Sequence, residues 1–248
     1  MDIYVRGQMV TEDNRDELLA ALRYGDLKIT GRLVDASNAT LFGELTIGEI
    51  TINCIYKPVT GERPLWDFPD GTLANREFAA YLISVAMAFN CVPPTVLREG
   101  PFGFGMVQLW IDIDENVDLA EMYRQDLAKL RSLALFDVVI NNTDRKIGHL
   151  LPTADGHIYG CDHGVTFHAE DKLRTVLWQW EEEPLTANEL QVLELLTRKL
   201  DQTLGEEISE LITVAELKAL KVRISRLQNE AKFPSPSPDW PAVPWPPF

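Results

Sequence analysis

Hydrophobic and polar residues alternate along much of the first half of the chain, which is the pattern of half-buried β-strands. A short helical pattern precedes these strands over residues 11–24, with Thr11 as the candidate cap. A longer helical stripe separates the third predicted strand from the fourth and covers residues 72–89. The strands are predicted at residues 27–34, 41–47, 49–56, 92–97 and 104–113.

The second half of the chain has the three-to-four-residue spacing of apolar positions that is typical of helices. These helices are predicted at residues 119–135, 187–204 and 214–231. A small antiparallel sheet followed by a mainly helical part indicates an α+β fold. A chain of 248 residues is long enough for one large domain or for two lobes around a cleft.

The last fifteen residues, 234–248, form a segment rich in proline and tryptophan. Seven of them are proline, so this segment fits neither a packed helix nor a central strand. An extended or disordered tail is the first interpretation. A strap that docks on its own domain through its aromatic residues is the second, and a ligand for a partner protein is the third.

The charge and cysteine content narrow the class of protein. A formal net charge of −15 argues against broad nucleic-acid binding and against docking on an anionic membrane through a basic face. The three cysteines are widely spaced among apolar neighbours, which is typical of reduced, buried thiols. The sequence has no apolar stretch of membrane-spanning length and no signal-peptide pattern, so we expect a cytoplasmic protein without an integral membrane segment.

Two short acidic motifs are the main candidates for chemistry. Asn142-Thr143-Asp144-Arg145 closes the apolar run 133–140, and Asp162-His163-Gly164 closes the strand-like run 157–161. The turn signal Ala154-Asp155-Gly156 lies between them. One aspartate is placed to orient or deprotonate a hydroxyl, and the other to hold a divalent metal on the phosphates of a nucleotide.

Upstream residues supply the remaining parts of such a site. Lys57 ends a predicted strand and could reach nucleotide phosphates if an acid holds it in place. Glu77, at the start of an apolar helical face, is the best candidate for that acid, and Glu44 and Glu49 are the alternatives. The loop from Ser37 through Asn38 to Thr40 either offers N–H groups and hydroxyls to phosphate or is an ordinary hairpin tip.

All four histidines lie within 20 residues of each other, next to both aspartates. This clustering leaves open a metal hydrolase with His and Asp ligands, although no paired-histidine helix motif supports it. His157, beside Gly156 in the predicted turn, is expected at the surface.

Several of these segments together resemble the phosphatidylinositol 3-/4-kinase superfamily, and in particular its type II 4-kinase branch. The whole chain apart from the tail also resembles an uncharacterised family of actinobacterial proteins assigned to that superfamily. The resemblance is carried by Lys57-Pro58, Met106-Val107-Gln108-Leu109-Trp110, the segment 136–145 and Cys161-Asp162-His163-Gly164.

The resemblance implies a two-lobed, protein-kinase-like fold in one domain, 1–248. Its N-lobe with a leading helix covers 1–110, a hinge lies near residue 110, and its helical C-lobe covers 111–233. It also implies that Lys57 binds phosphate, that Glu77 pairs with Lys57, and that the backbone of Gln108, Leu109 and Trp110 meets adenine. In the same way it makes Asp144 the catalytic aspartate and Asp162 the metal-binding aspartate.

One position departs from the family pattern. His149 stands where the family has a metal-coordinating asparagine. Imidazole suits Mn²⁺ better than Mg²⁺, so three interpretations follow: an altered metal preference, a single-metal enzyme that relies on Asp162, or a nucleotide-binding pseudokinase. His163 likewise replaces a frequent asparagine, and the cysteine-rich insert of the type II enzymes is missing between Lys57 and Glu77.

The leading functional interpretation is therefore an ATP-dependent phosphotransferase that uses Mg²⁺ or Mn²⁺, with Asp162 and His149 as candidate metal ligands. The acceptor is an unidentified hydroxyl, for which a protein or small molecule is favoured over a lipid. The main alternative is a pseudokinase that acts as a regulatory binding module, and the third is the His/Asp metal hydrolase.

Overall fold

The computed structural model describes residues 3–5, 8–10, 15–33 and 38–248, with the backbone alone for 3–5, 8–10 and residue 15. Thr11, the candidate helix cap, lies outside the described residues. The strands are β1 Ile3–Val5, β2 Gln8–Val10, β3 Asp26–Arg32, β4 Leu41–Ile47, β5 Ile50–Pro58, β6 Thr95–Gly100, β7 Gly103–Leu109, β8 Leu150–Pro152 and β9 Ile158–Gly160. The helices are α1 Arg15–Tyr24, α2 Leu73–Ala86, α3 Leu119–Met122, α4 Ala128–Ile140, α5 Ala187–Leu200, α6 Thr203–Ser209 and α7 Val214–Glu230.

A five-stranded antiparallel sheet in the order β3-β4-β5-β7-β6 forms the N-terminal part, as the alternating pattern predicts. Alternation along β5 buries Ile52, Cys54 and Tyr56 on one face, where α1 packs in the same apolar core. The half-buried Ile55 and Lys57 lie on the other face of the strand. The two-residue period of the strand therefore directs Lys57 away from the α1 core.

A second and larger core unites the helices of the C-terminal part. Helix α2 contributes Ala79, Ala80 and Ile83 to it, so this helix packs against the helical part as well as against the sheet. Capping boxes begin two of the helices, with Thr186 and Glu189 at α5 and Thr213 and Glu216 at α7. An α+β fold with a sheet-based N-terminal part and a helical C-terminal part is thus confirmed.

Several predicted boundaries were wrong for identifiable reasons. The predicted helix 119–135 is two helices, because the chain is extended at Leu127, and α4 then runs on to Ile140. The predicted helix 187–204 ends at Leu200. The chain turns tightly between α5 and α6. A Cβ on Gly205 would collide with the carbonyl oxygen of Leu200, so only glycine fits at this turn.

Residues 234–248 dock on the domain. The Thr175 N–H and the Trp178 indole N–H both donate to the carbonyl of Ala242, at 3.0 and 2.9 Å. The Ile147 N–H donates to the carbonyl of Pro247 at 2.8 Å. These contacts correspond to the strap that was the second interpretation of this segment, and they place it against residues 147 and 175–178.

Among the described residues, no helix combines the length and the apolar character that a membrane crossing requires.

Candidate active site

Lys57 at the end of β5 makes two ion pairs. Its Nζ lies 2.7 Å from Oε1 of Glu77 and 2.8 Å from Oδ1 of Asp162. Burial disfavours the charged lysine, but the charges of Asp162 and Glu77 outweigh it and raise its pKa. Lys57 is therefore a fixed ammonium group, and its predicted partner Glu77, rather than Glu44 or Glu49, is the acid that holds it.

Glu77 on α2 connects that lysine to the second acidic motif. Its side chain is almost fully buried, and its second oxygen, Oε2, accepts a hydrogen bond from the backbone N–H of His163 at 2.8 Å. One carboxylate thus fixes both the ammonium group of Lys57 and the backbone that follows Asp162. A buried carboxylate with charged and backbone donors on its two oxygens is a rigid support.

Asp162 follows β9 and has a left-handed backbone conformation, with φ of 61°. This conformation is uncommon for residues other than glycine and recurs at functional sites. The Lys57 ammonium lowers the pKa of Asp162 well below its usual range and outweighs the partial desolvation of the carboxylate. Asp162 is therefore an anion at any physiological pH, about half exposed and available to a cation.

The loop after α4 carries the other aspartate. Asn141 ends the helix in the left-handed conformation, and the side-chain oxygen of Asn142 accepts the Asp144 N–H at 3.0 Å. Burial raises the pKa of Asp144, while Lys146, whose Nζ lies 3.3 Å from Oδ2, acts against that rise. A carboxyl group with a raised pKa is suited to accept a proton near neutral pH.

Asp137, on the last turn of α4, supports this loop and is not free for chemistry. It is fully buried, and its oxygens accept hydrogen bonds from the side chains of Asn142, Arg145 and Thr175. The Arg145 guanidinium is also fully buried and donates to the carbonyl of Cys161 at 3.0 Å. These buried hydrogen bonds link the two acidic motifs, so Asp137 has a structural role.

A cavity of about 460 Å³ opens between the sheet and the second lobe. Lys57, Asp162 and His149 line one part of it. Apolar side chains line much of the rest, so the cavity combines a charged region with a surface suited to a flat aromatic group. These apolar residues are Leu33, Ile55, Leu109, Ile111, Ile113 and Leu151, with Trp110 beside them.

The residues assigned to adenine contact, Gln108, Leu109 and Trp110, do line this cavity. Two of their backbone donors are nevertheless engaged: the Leu109 N–H donates to the carbonyl of Pro94 at 2.9 Å, and the Trp110 N–H to that of Asn53 at 3.0 Å. The N–H groups of Leu109 and Trp110 are therefore not free to bind a base in this cavity.

The predicted phosphate loop is only partly described. Ser37 lies outside the described residues. The side-chain oxygen of Asn38 accepts the Arg63 N–H at 2.9 Å, so it serves the loop that follows β5. Thr40 is buried and lines the cavity.

The histidines do not converge on one site. The expectation that His157 lies at the surface was wrong, because its ring is buried and its Nε2 lies 3.0 Å from the carbonyl of Asn90. His163 is fully buried, with Nε2 at 2.6 Å from Arg145. His149 approaches an aspartate of the cavity, with Nε2 at 3.6 Å from Oδ2 of Asp162. Burial lowers the pKa of His149 to about 4, so its imidazole is neutral at pH 7.

The donor set fits a cation that nucleotide phosphates help to hold. No group of three or more His, Cys, Asp or Glu side chains forms a metal cage within the described parts of the chain. Asp162 and His149 offer one oxygen and one neutral nitrogen at the charged part of the cavity. Mg²⁺ and Mn²⁺ in nucleotide sites commonly take one or two protein ligands plus phosphates and waters, so these residues fit.

Sequence reasoning missed two basic residues near Asp144. Lys146 follows it by two positions, and that spacing was the available signal. Arg174 lies far along the chain, yet its N–H donates to the carbonyl of Asn142 at 2.9 Å. Nothing in its local sequence marks it, because only the packing of the segment after Asp162 brings it there.

Comparisons with solved structures bear on the fold, and a comparison of sequences bears on the family. No protein-family model matches the chain. The Golgi casein kinase with Mn/ADP bound has a similar structure, with a TM-score of 0.59 and 14% identity over 92% of this chain and 81% of that chain. Another structure of the Golgi casein kinase gives a TM-score of 0.57 and 12% identity over 92% and 80% of the two chains. The fold is therefore kinase-like.

A relative in sequence is Protein Rv2133c of Mycobacterium tuberculosis. It is 42% identical over 269 aligned positions, which cover 94% of this chain and 96% of the relative. Identity at this level over nearly the full length of both chains shows common descent. The chain belongs to the same family as Protein Rv2133c.

Proposed function

We propose that the protein is an ATP-dependent phosphotransferase that transfers the γ-phosphate to a hydroxyl acceptor. The observation that carries this proposal is the convergence of Lys57, Glu77 and Asp162 beside a partly apolar cavity, in a kinase-like fold. We also propose that the protein belongs to the phosphatidylinositol 3-/4-kinase superfamily, because the segments that carry these residues resemble the motifs of that superfamily.

In this proposal the apolar part of the cavity takes the adenine and Lys57 binds the phosphates. A kinase of similar fold has been solved with Mn/ADP bound, which supports nucleotide and metal binding here. Asp162 and His149 would hold Mg²⁺ or Mn²⁺, and the cation would neutralise negative charge on the phosphates. The lysine, fixed by Glu77, needs little reordering to bind a phosphate oxygen.

Asp144 would act on the acceptor. Its carboxylate orients the hydroxyl and takes its proton as the acceptor oxygen bonds to the γ-phosphorus and ADP departs. Lys146, ion-paired with Asp144 at 3.3 Å, would then face the transferred phosphoryl group with its positive charge. A protein or small-molecule acceptor is favoured over a lipid, since the chain is acidic and lacks a cysteine-rich insert between Lys57 and Glu77.

A nucleotide-binding pseudokinase is the second candidate, and His149 at the position of a metal-binding asparagine favours it. Two measurements test the candidates, and the second separates them. ATP with Mn²⁺ or Mg²⁺ should raise the melting temperature in both cases, since a ligand at 100 times its Kd adds about 2.7 kcal/mol. Transfer of label from γ-labelled ATP to a fraction of a cell extract is expected for the enzyme alone. The absence of a thermal shift with any nucleotide and metal would contradict both.

A further inference from the structure

Arg174 shares a face of the structure with Asp144. Arg145 and Thr175 are partners in a parallel β-bridge, and both side chains reach the carboxylate of Asp137 on the buried side. Side chains alternate between the two sides of an extended chain. Arg174 and Asp144, each one residue earlier, are therefore directed to the opposite side from Asp137.

The backbone holds Arg174 firmly beside the aspartate loop. Its N–H donates to the carbonyl of Asn142 at 2.9 Å, and its carbonyl accepts the Arg145 N–H at 3.1 Å. The next residue, Thr175, donates to the carbonyl of Ala242 in the docked C-terminal segment at 3.0 Å. Hydrogen bonds of both its N–H and its carbonyl thus fix the backbone of Arg174.

The Arg174 side chain has no partner among the described residues, although it is half-buried. Its Nε is buried without a hydrogen-bond acceptor, and the guanidinium forms no ion pair with a described carboxylate. By contrast, Arg145, the bridge partner of Thr175, uses its Nε, Nη1 and Nη2 in hydrogen bonds to Asp137 and to the carbonyl of Cys161. Buried donors in proteins are nearly always satisfied, so an unused one beside a catalytic loop indicates a ligand.

The electrostatics agree with the geometry. Burial raises the pKa of Asp144, and the positive charges of Lys146 and Arg174 both act against that rise. Lys146 is already paired with Asp144 at 3.3 Å. Arg174 is therefore a second cation close to Asp144, with its hydrogen-bonding capacity unspent, in a chain whose net charge is −15.

We propose that Arg174 binds an anionic group of the acceptor, a carboxylate or a phosphate, next to the hydroxyl that Asp144 orients. This proposal rests on the proposed phosphotransferase function and adds the class of substrate. A guanidinium presents a planar fork that matches both anions, so it would fix the direction of the acceptor as well as attract it. The nucleotide phosphates are assigned to Lys57 instead, whose Nζ lies 2.8 Å from Oδ1 of Asp162.

The test uses the full chain and simple anions as probes. Inorganic phosphate and acetate are titrated separately by calorimetry, with and without a non-hydrolysable ATP analogue and Mn²⁺, to distinguish the two anion types. The variants are Arg174→Gln, Arg174→Lys and a matched control, Arg198→Gln, which removes an exposed arginine of α5 that pairs with Glu194. Melting temperatures, with and without nucleotide, are measured for each variant.

We expect wild-type protein and Arg198→Gln to bind at least one probe equally, and Arg174→Gln to bind it at least about tenfold more weakly, because a charge-assisted hydrogen bond is lost. Arg174→Lys should fall between them, since it keeps the charge without the fork. The nucleotide-dependent melting shift should be unchanged in all variants.

Three results would overturn the proposal: no binding of either probe by the wild-type protein, equal binding by Arg174→Gln, or loss of the nucleotide shift in Arg174→Gln, which would assign Arg174 to the nucleotide. A wild-type protein that binds the probe through Arg174 but shows no nucleotide shift would contradict the phosphotransferase function and leave the anion site established.

Discussion

Lys57 and Asp162 are 105 residues apart in sequence, yet Nζ of the lysine lies 2.8 Å from Oδ1 of the aspartate. The lysine comes from the sheet, and the aspartate from the segment that follows the β8–β9 hairpin. Glu77 adds a second carboxylate to the same ammonium group. Two carboxylates against one ammonium leave negative charge in excess, which favours a divalent cation in this part of the cavity.

Replacement of Asp162 should therefore remove the metal-dependent part of nucleotide binding. In Asp162→Ala, we expect the same small melting shift with ATP whether Mn²⁺ is present or not, whereas the wild-type protein shows a larger shift with the metal. Asp70→Ala, which removes an exposed carboxylate, is the control and should behave as wild type. A full metal-dependent shift in Asp162→Ala would reassign the metal to other ligands.

Substitution of Asp144 should reduce activity, whereas substitution of Asp137 should reduce stability. Asp144→Asn should keep the melting temperature and the nucleotide shift, while transfer activity falls by about a hundredfold or more, because an amide cannot take the proton. Label transfer from γ-labelled ATP measures the loss. An Asp144→Asn protein with wild-type activity would remove Asp144 from the catalytic role.

Asp137→Asn should instead destabilise the fold, by roughly 3 kcal/mol, because it leaves the buried guanidinium of Arg145 without its counter-charge. Urea unfolding at constant pH measures this change. A variant as stable as the wild-type protein would contradict the structural role that the Asp137 contacts indicate.

His149 should control the choice of metal. Its Nε2 lies 3.6 Å from Oδ2 of Asp162, close enough for both to reach one cation, and its imidazole is neutral at pH 7. In His149→Asn, we expect the nucleotide shift with Mg²⁺ to approach or exceed that with Mn²⁺, since Mg²⁺ prefers oxygen ligands. His157→Gln, remote from the cavity, should leave the preference unchanged. Identical metal preference in His149→Asn and wild type would make His149 a packing residue.

Lys172 should stabilise the fold by joining three segments of the chain. Its Nζ lies 4.8 Å from the ring centre of Trp66, 4.5 Å from that of Trp240 and 3.1 Å from Oδ2 of Asp67. The lysine is buried, so Lys172→Met should cost about 2 to 4 kcal/mol of unfolding free energy by leaving Asp67 unpaired. Lys221→Met, which breaks an exposed pair with Asp201, should cost less than about 1 kcal/mol. Equal losses in urea unfolding would show that the buried cluster contributes no more to stability than an exposed ion pair.

His157 should make stability depend on pH. Burial lowers its pKa to about 4, below the value of about 6.5 in the unfolded chain. The unfolded state therefore binds the extra proton first, and stability falls as pH drops from about 6.5 towards 4. Between pH 7.5 and pH 5.0, His157→Gln should lose about 2 kcal/mol less than the wild-type protein in urea unfolding. Parallel losses would mean that the folded and unfolded states share one pKa.

The sequence by itself determined the order and type of the main elements. β4 covers the predicted residues 41–47. β5, which carries Lys57, and α2, which carries Glu77, form where the pattern predicts a strand and a helix. These features are local, because the period of apolar residues directly reports which side of an element is buried. The position of Glu77 at the start of an apolar helical face likewise indicated its pairing with Lys57.

Only the tertiary structure decided which element covers which face. It buried His157 against Asn90, engaged the backbone donors of Leu109 and Trp110, and brought Arg174 to Asp144. It also shows that residues 234–248 dock on the domain as a strap. Loop and tail residues carry no periodic signal, and their positions follow from hydrogen bonds between segments distant in sequence, which no local pattern encodes.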